Sequence, residues 1–140
     1  MGHTVRQVTA AVMQVNDEVG VLHRVLCVLR DAGVNMLAIA SQRRKGVALM
    51  AIPEDVKAVR ELAADQGVHL QTRQVFLVEG DDRVGALCDI TKAISDAGIS
   101  IEDVAALSAS RRYAAVLTFA DANLEAASKI FGLDEEESST

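Results

Sequence analysis

Val19-Gly20-Val21-Leu22 leads through an apolar-periodic segment to Asp31-Ala32-Gly33-Val34-Asn35, and Val84-Gly85-Ala86-Leu87 leads through another to Asp96-Ala97-Gly98-Ile99-Ser100. Gly20 and Gly85 are 65 residues apart, as are Gly33 and Gly98, so the two copies run in step without a gap. An internal repeat of this kind means two copies of one supersecondary unit. An aspartate stands three positions before each opening glycine, in Asp17-Glu18-Val19-Gly20 and in Asp82-Arg83-Val84-Gly85. Any binding chemistry is expected at these two turns.

Each copy reads outward from its turn in the same order. Val5 to Val15 is β-branched and small apolar, with no Gly or Pro, and predicts a long strand. Asn16-Asp17-Glu18 offers cap acceptors and negative charge to a helix carrying Leu22, Val25, Leu26 and Leu29, which Gly33 ends. Strands follow at Val34 to Gln42 and Val47 to Ile52, around a hairpin at Arg43-Arg44-Lys45-Gly46. Pro53 is placed to open a second helix with Val56, Val59, Leu62 and Ala63 inward, and Val68 to Thr72 is a fourth strand. The second copy repeats this with a strand at Val75 to Glu79, a helix at Gly85 to Ala97 and a strand at Ile99 to Ser108. A hairpin at Ser110-Arg111-Arg112, a strand at Tyr113 to Phe119 and a helix at Leu124 to Phe131 complete it.

The expected fold class is therefore α+β: two ferredoxin-like βαββαβ units with antiparallel sheets packed side by side. The expected domains are 1–73 and 74–133, with an acidic disordered tail at 134–140. The second copy runs out of apolar residues at Leu133 before any fourth strand, while Arg6-Gln7-Val8 echoes Arg73-Gln74-Val75. The N-terminus is thus expected to supply the missing strand. Val47 to Ile52 and Val75 to Val78 are apolar on both faces, which predicts that something covers the second face, and a homodimer is the expectation drawn from it.

Composition narrows the function. Half of the 140 residues are hydrophobic, 3% are aromatic and mean hydropathy is +0.20, as in a globular chain with a core of small aliphatic residues. A formal net charge of −6 argues against nucleic acid or an anionic membrane as partner. Cys27 and Cys88 have no CxxC or Cys/His ligand spacing, so no metal site, no cofactor and no disulfide framework is indicated, and a reducing cytoplasm is the natural compartment. His3, His23 and His69 fall in no nucleophile–base arrangement, so no catalytic residue is nominated.

A βαββαβ unit with an acidic residue and a glycine at its first strand-to-helix turn, and Ala-Gly-Val-Asn entering its second strand, resembles the ACT family of amino-acid-sensing regulatory domains. Asp82-Arg83-Val84-Gly85-Ala86-Leu87 departs from the family turn Asp-Arg-Pro-Gly-x-Leu at the proline, and Asp17-Glu18-Val19-Gly20-Val21-Leu22 at the proline and the basic residue. The resemblance spans about residues 8 to 131 and is closest to stand-alone tandem proteins. It implies a site between units, where the turn of one faces the second-strand start of its neighbour. The residues it implicates are Asp17 to Leu22 with Asn35 and Met36, and Asp82 to Leu87 with Ser100 and Ile101. Glycine would admit a ligand close to the backbone, the helix N-terminus would take an α-carboxylate, and the aspartate would meet an α-ammonium.

The function implied is non-enzymatic: a regulator that binds a small L-amino acid and signals to a partner such as a metabolic enzyme. The alternative is a ligand-free adaptor or regulatory subunit docked on that enzyme. Each site residue also has a plainer reading. Asp17 and Asp82 could only cap helices, Asn35 could only satisfy strand-end backbone, and Arg43-Arg44-Lys45 and Arg111-Arg112 could be solvated hairpin tips. His23 corresponds to Cys88 in the repeat, and that pair reads equally as surface packing.

Overall fold

The computed structural model describes residues 3–43, 47–82 and 84–133. In chain order these form β1 (His3–Val15), α1 (Val21–Asp31), β2 (Met36–Arg43), β3 (Val47–Pro53), α2 (Val56–Asp65) and β4 (Leu70–Asp81). They continue with α3 (Ala86–Asp96), β5 (Asp103–Ala109), β6 (Arg112–Thr118) and α4 (Leu124–Ile130), the last entered through one 3-10 turn at Asp121–Asn123. The chain divides after Val8 and after Arg73. Thr9–Arg73 is one compact unit, the first; the chain up to Val8 together with the chain from Gln74 onward is the other, the second. Each is a βαββαβ-like α+β unit. Strand order is β2-β3-β1-β4 in the first and β1-β4-β6-β5 in the second. The seven strands counted along the sequence become six among the described residues, because the stretches read at 68–72 and 75–79 form one strand, β4, which like β1 runs through a division point.

The second unit takes in the start of the chain through specific contacts. Val5 packs against the cluster that includes Phe76, Ile94 and Phe119. Arg6 Nη2 lies 3.1 Å from Glu79 Oε1, and Gln7 Nε2 donates to Gln74 Oε1 at 3.4 Å. In the first unit β1 pairs antiparallel with β3, Ala11 opposite Ala51 and Val15 opposite Val47, and β3 pairs with β2. In the second, β4 pairs with β6, Phe76 opposite Leu117 and Asp81 opposite Arg112, and β6 pairs with β5.

Amphipathic helices cover one face of each sheet. In the first unit Ala11, Leu29 and Val59 are buried together, with Val25, Leu62 and Leu70 against them. In the second the core is larger and aromatic: Phe76 meets Phe119 edge-on at 5.6 Å between centroids and Phe131 at 5.1 Å. The apolar stripe of α1 is rotated from the one expected. Leu29 is buried and Val21, Val25 and Val28 are half-buried, whereas Leu22 and Leu26 are open to solvent.

Several local expectations need correction. Pro53 ends β3 instead of opening α2; the helix is capped by Asp55, whose carboxylate accepts from the N–H groups of Lys57 and Ala58, satisfying two donors that the first turn leaves unpaired. The strand expected from Ile99 begins only at Asp103, because Ile99 still closes α3 through its N–H to Ile94 O at 3.2 Å. The residues thought to need a second chain are already withdrawn from water: Leu49, Ala51 and Ile52 on β3 and Val75 to Val78 on β4 are buried. That removes the reason given for a homodimer. The hairpin residues 44–46 and the acidic stretch 134–140 lie outside the described residues.

Candidate functional site

Both turns are built by a left-handed glycine. Gly20 and Gly85 have φ of +84° and +83°, where a side chain would clash with its own backbone, and each is the N-cap residue of its helix. Neither α1 nor α3 has a side-chain cap, so the sequence assignment of Asn16-Asp17-Glu18 as cap acceptors is corrected, and the plainer reading of Asp17 and Asp82 as caps falls with it. The first intrahelical bond of α3 runs from Asp89 N–H to Gly85 O at 3.0 Å, which leaves the N–H groups of Leu87 and Cys88 ahead of it without an intrahelical acceptor.

At the second turn these donors open onto a cleft of about 300 Å³, lined by Asp82, Gly85, Leu87, Ala106, Ser108 and Tyr113 among others. Asp82 is held at its mouth twice over. Its N–H donates to Arg111 O at 2.9 Å, and its carboxylate accepts from Ser108 Oγ at 2.6 Å. Ser110 and Arg111 carry positive φ in the β5–β6 hairpin, which aims that carbonyl at Asp82. Beside it Arg112 bonds Asp81 at 2.9 Å. The cleft therefore brings an acidic side chain and the N-terminal residues of α3 into one lining, with small apolar walls at Ala86 and Ala106. That combination matches an ammonium, a carboxylate and a short side chain.

The first turn is arranged differently. Arg24 of α1 reaches back over it, with Nη2 3.1 Å from Glu18 Oε2 and Nη1 3.4 Å from Val19 O; a Cβ on Gly20 would come within 3.6 Å of that guanidinium. The residue at the same place in the second repeat is Asp89. Val19 and Val84, where the family has proline, are 99% and 102% exposed, so each turn presents a bare valine tip.

Within either unit, the two halves of each expected set are not brought together. Asp17 follows Val15, paired with Val47, while Asn35 precedes Met36, paired with Pro53. Asp82 follows Asp81, paired with Arg112, while Ser100 precedes Asp103, paired with Thr118. The halves lie at opposite ends of a strand, roughly 20 Å apart at about 3.3 Å per residue. Asn35 is instead engaged with Glu54, side chain to side chain at 3.0 Å. Met36 and Ile101 are half-buried and packed on the cores, and Ser100 is exposed. Arg83 lies outside the described residues. Ser108, Ala106 and Tyr113 were not anticipated; the available signal was their place near the hairpin on β5 and β6, where Tyr113 pairs with Gly80 on one side and Ser108 on the other.

The profile of the ACT domain pair family matches residues 3–136. The chain belongs to that family. Solved structures agree in fold. A Bacteroides thetaiotaomicron protein superposes with a TM-score of 0.80 at 14% identity, over 91% of this chain and 88% of that one. The regulatory subunit of aspartate kinase from Thermus flavus gives 0.58 at 16% identity, over 94% and 95%. Aspartokinase III of E. coli, in complex with lysine and aspartate, gives 0.55 at 14%, over 93% of this ACT pair but 32% of the enzyme. The comparison with curated protein sequences finds no match.

The ACT pair has few other chemical groupings. His23 Nε2 lies 3.5 Å from Cys27 Sγ on the exposed side of α1, a local i,i+4 contact. Among the described residues no group of His, Cys, Asp and Glu could hold a metal ion, and no helix is long and apolar enough to cross a membrane.

Proposed function

We propose that this ACT pair is a non-enzymatic regulator that binds a small L-amino acid at the second turn and transmits occupancy to a partner protein. The observation that carries the reading is the cleft at Asp82: a carboxylate pinned by Ser108, beside helix N–H donors that no side chain caps, over walls of Ala106 and Leu107. The α-ammonium sits on Asp82, the α-carboxylate on the Leu87 and Cys88 N–H groups, and the side chain against the alanine wall. The small volume favours a short side chain. Full coverage of the site is completed by a neighbouring unit in a homodimer, whose second-strand start supplies the other half.

The partner is a metabolic enzyme, by likeness to the aspartate kinase regulatory subunits. The surface it would take is β5, where every residue is exposed and Val104 and Leu107 are 56% and 70% accessible along an edge strand. The same surface is the one observation favouring a ligand-free adaptor. A thermal-shift screen of the twenty amino acids separates the two. An amino acid at a hundredfold excess over its Kd stabilises by about 2.7 kcal/mol, a shift on the order of 10 °C. No shift with any of them, with retained binding to an enzyme partner, overturns the sensor reading.

A further inference from the structure

The repeat lets each unit serve as a template for the other. All three phenylalanines fall in the second copy, and the residues 65 positions earlier are Ala11 for Phe76, Glu54 for Phe119 and Gln66 for Phe131. In the second unit the ring of Phe76 meets Phe119 edge-on and Phe131 at a tilt. In the first unit the same layer holds a groove of about 310 Å³ between α1 and α2, floored by Met13, Leu29, Val59 and Ala63 and rimmed by Arg24 and Gln66. The four floor residues are buried, so the space is a built recess and not a surface dimple. Its volume lies within the range of small-molecule sites, and apolar cavities of roughly half that size bind benzene-sized ligands.

The charge at the rim is also reversed between the copies. Arg24 corresponds to Asp89, and among the described residues Arg24 is the one charged residue lining the groove. Its contacts with Glu18 and Val19 O leave guanidinium donors over. Among the described residues no carboxylate lines the groove to receive an ammonium. We propose that the α1–α2 groove of the first unit is a second binding site, for a monocarboxylic acid with an aryl or branched-alkyl body. The body takes the place that Phe131 fills in the sister unit, and the carboxylate bonds Arg24. The site is independent of the amino-acid cleft at Asp82.

The test is titration of the full chain with 3-phenylpropionate, followed by calorimetry and by methyl NMR. Saturable binding is expected, with shifts concentrated at the methyl groups of Met13, Leu29 and Val59. Arg24→Gln is expected to weaken the acid more than tenfold while leaving its neutral alcohol, 3-phenylpropanol, unchanged. Gln66→Phe restores the sister unit's ring and is expected to abolish binding of both and to raise the melting temperature. Absence of saturation at millimolar concentration overturns the proposal, as do shifts centred on Val78 and Ile90, or undiminished binding in a folded Gln66→Phe variant. The methyl map is read on the unaltered chain, so it decides even if a variant fails to fold. Asp82→Asn, titrated in parallel with amino acids, scores the other site, and loss there leaves the groove result intact.

Discussion

Asp82 and Gly85 carry separable roles that substitution can resolve. Asp82 is exposed and caps no helix, so Asp82→Asn should leave the melting temperature nearly unchanged while weakening amino-acid binding roughly tenfold or more, since a hydrogen bond to a charged group contributes about 1.5–3 kcal/mol. Ser108→Ala frees the carboxylate to rotate and should reduce affinity without altering the circular dichroism spectrum; calorimetric titration reads both. Gly85→Ala is different. A Cβ there would meet no atom within 4 Å, so its cost is purely the left-handed backbone, about 1–2 kcal/mol, measured by urea denaturation. Equal losses of stability and binding in Asp82→Asn would return that residue to a structural role.

Elements extend this from single side chains to the strands and helices that hold them. β1 contributes residues to both units, and its first part carries Val5, Arg6 and Gln7 onto the second unit through the contacts with the Phe76 cluster, Glu79 and Gln74. Deleting residues 1–7 should therefore destabilise the second unit more than the first, seen as faster amide exchange in β4 and β6 with α1 and α2 little changed. Exchange that stays slow throughout would show that the segment is dispensable. α2 offers a control of known size. Its cap Asp55 serves two N–H groups, and Asp55→Ala should lower stability by about 1 kcal/mol without touching either binding site.

At the scale of the whole molecule, the two units are not two consecutive pieces of chain. Residues 74–140 expressed alone lack the segment before Thr9 that groups with them, so they should melt without cooperativity until a peptide of residues 1–8 is supplied. Two halves cut at residue 73 that each fold fully as monomers would contradict this. With β5 left to the enzyme partner and the buried strands having lost that role, the proposed homodimer rests on the bare valine tips Val19 and Val84. Sedimentation at micromolar concentration checks it, and Val19→Lys should drive the mass toward the monomer.

The sequence by itself determined what repeats and local chemistry can determine. A strict 65-residue offset, helical stripes between glycines and two-sided apolar strands were enough for two βαββαβ units, and Asp82, Gly85 and Leu87 were legible as a strand-to-helix turn, and so as a proposed site, because their spacing is local. Tertiary structure decided everything that depends on what lies across a strand. Ser108, 26 residues from Asp82, became its partner only through the register of β4, β6 and β5. Whether an aspartate caps a helix depended on the direction the chain takes after Gly20 and Gly85, which composition does not encode. The groove under Arg24 had no sequence signature either: Ala11 and Gln66 are ordinary residues, and their meaning appears only where the sister unit places Phe76 and Phe131 in contact. Periodicity reports which face of an element is apolar. It does not report how well two such faces fill the space between them.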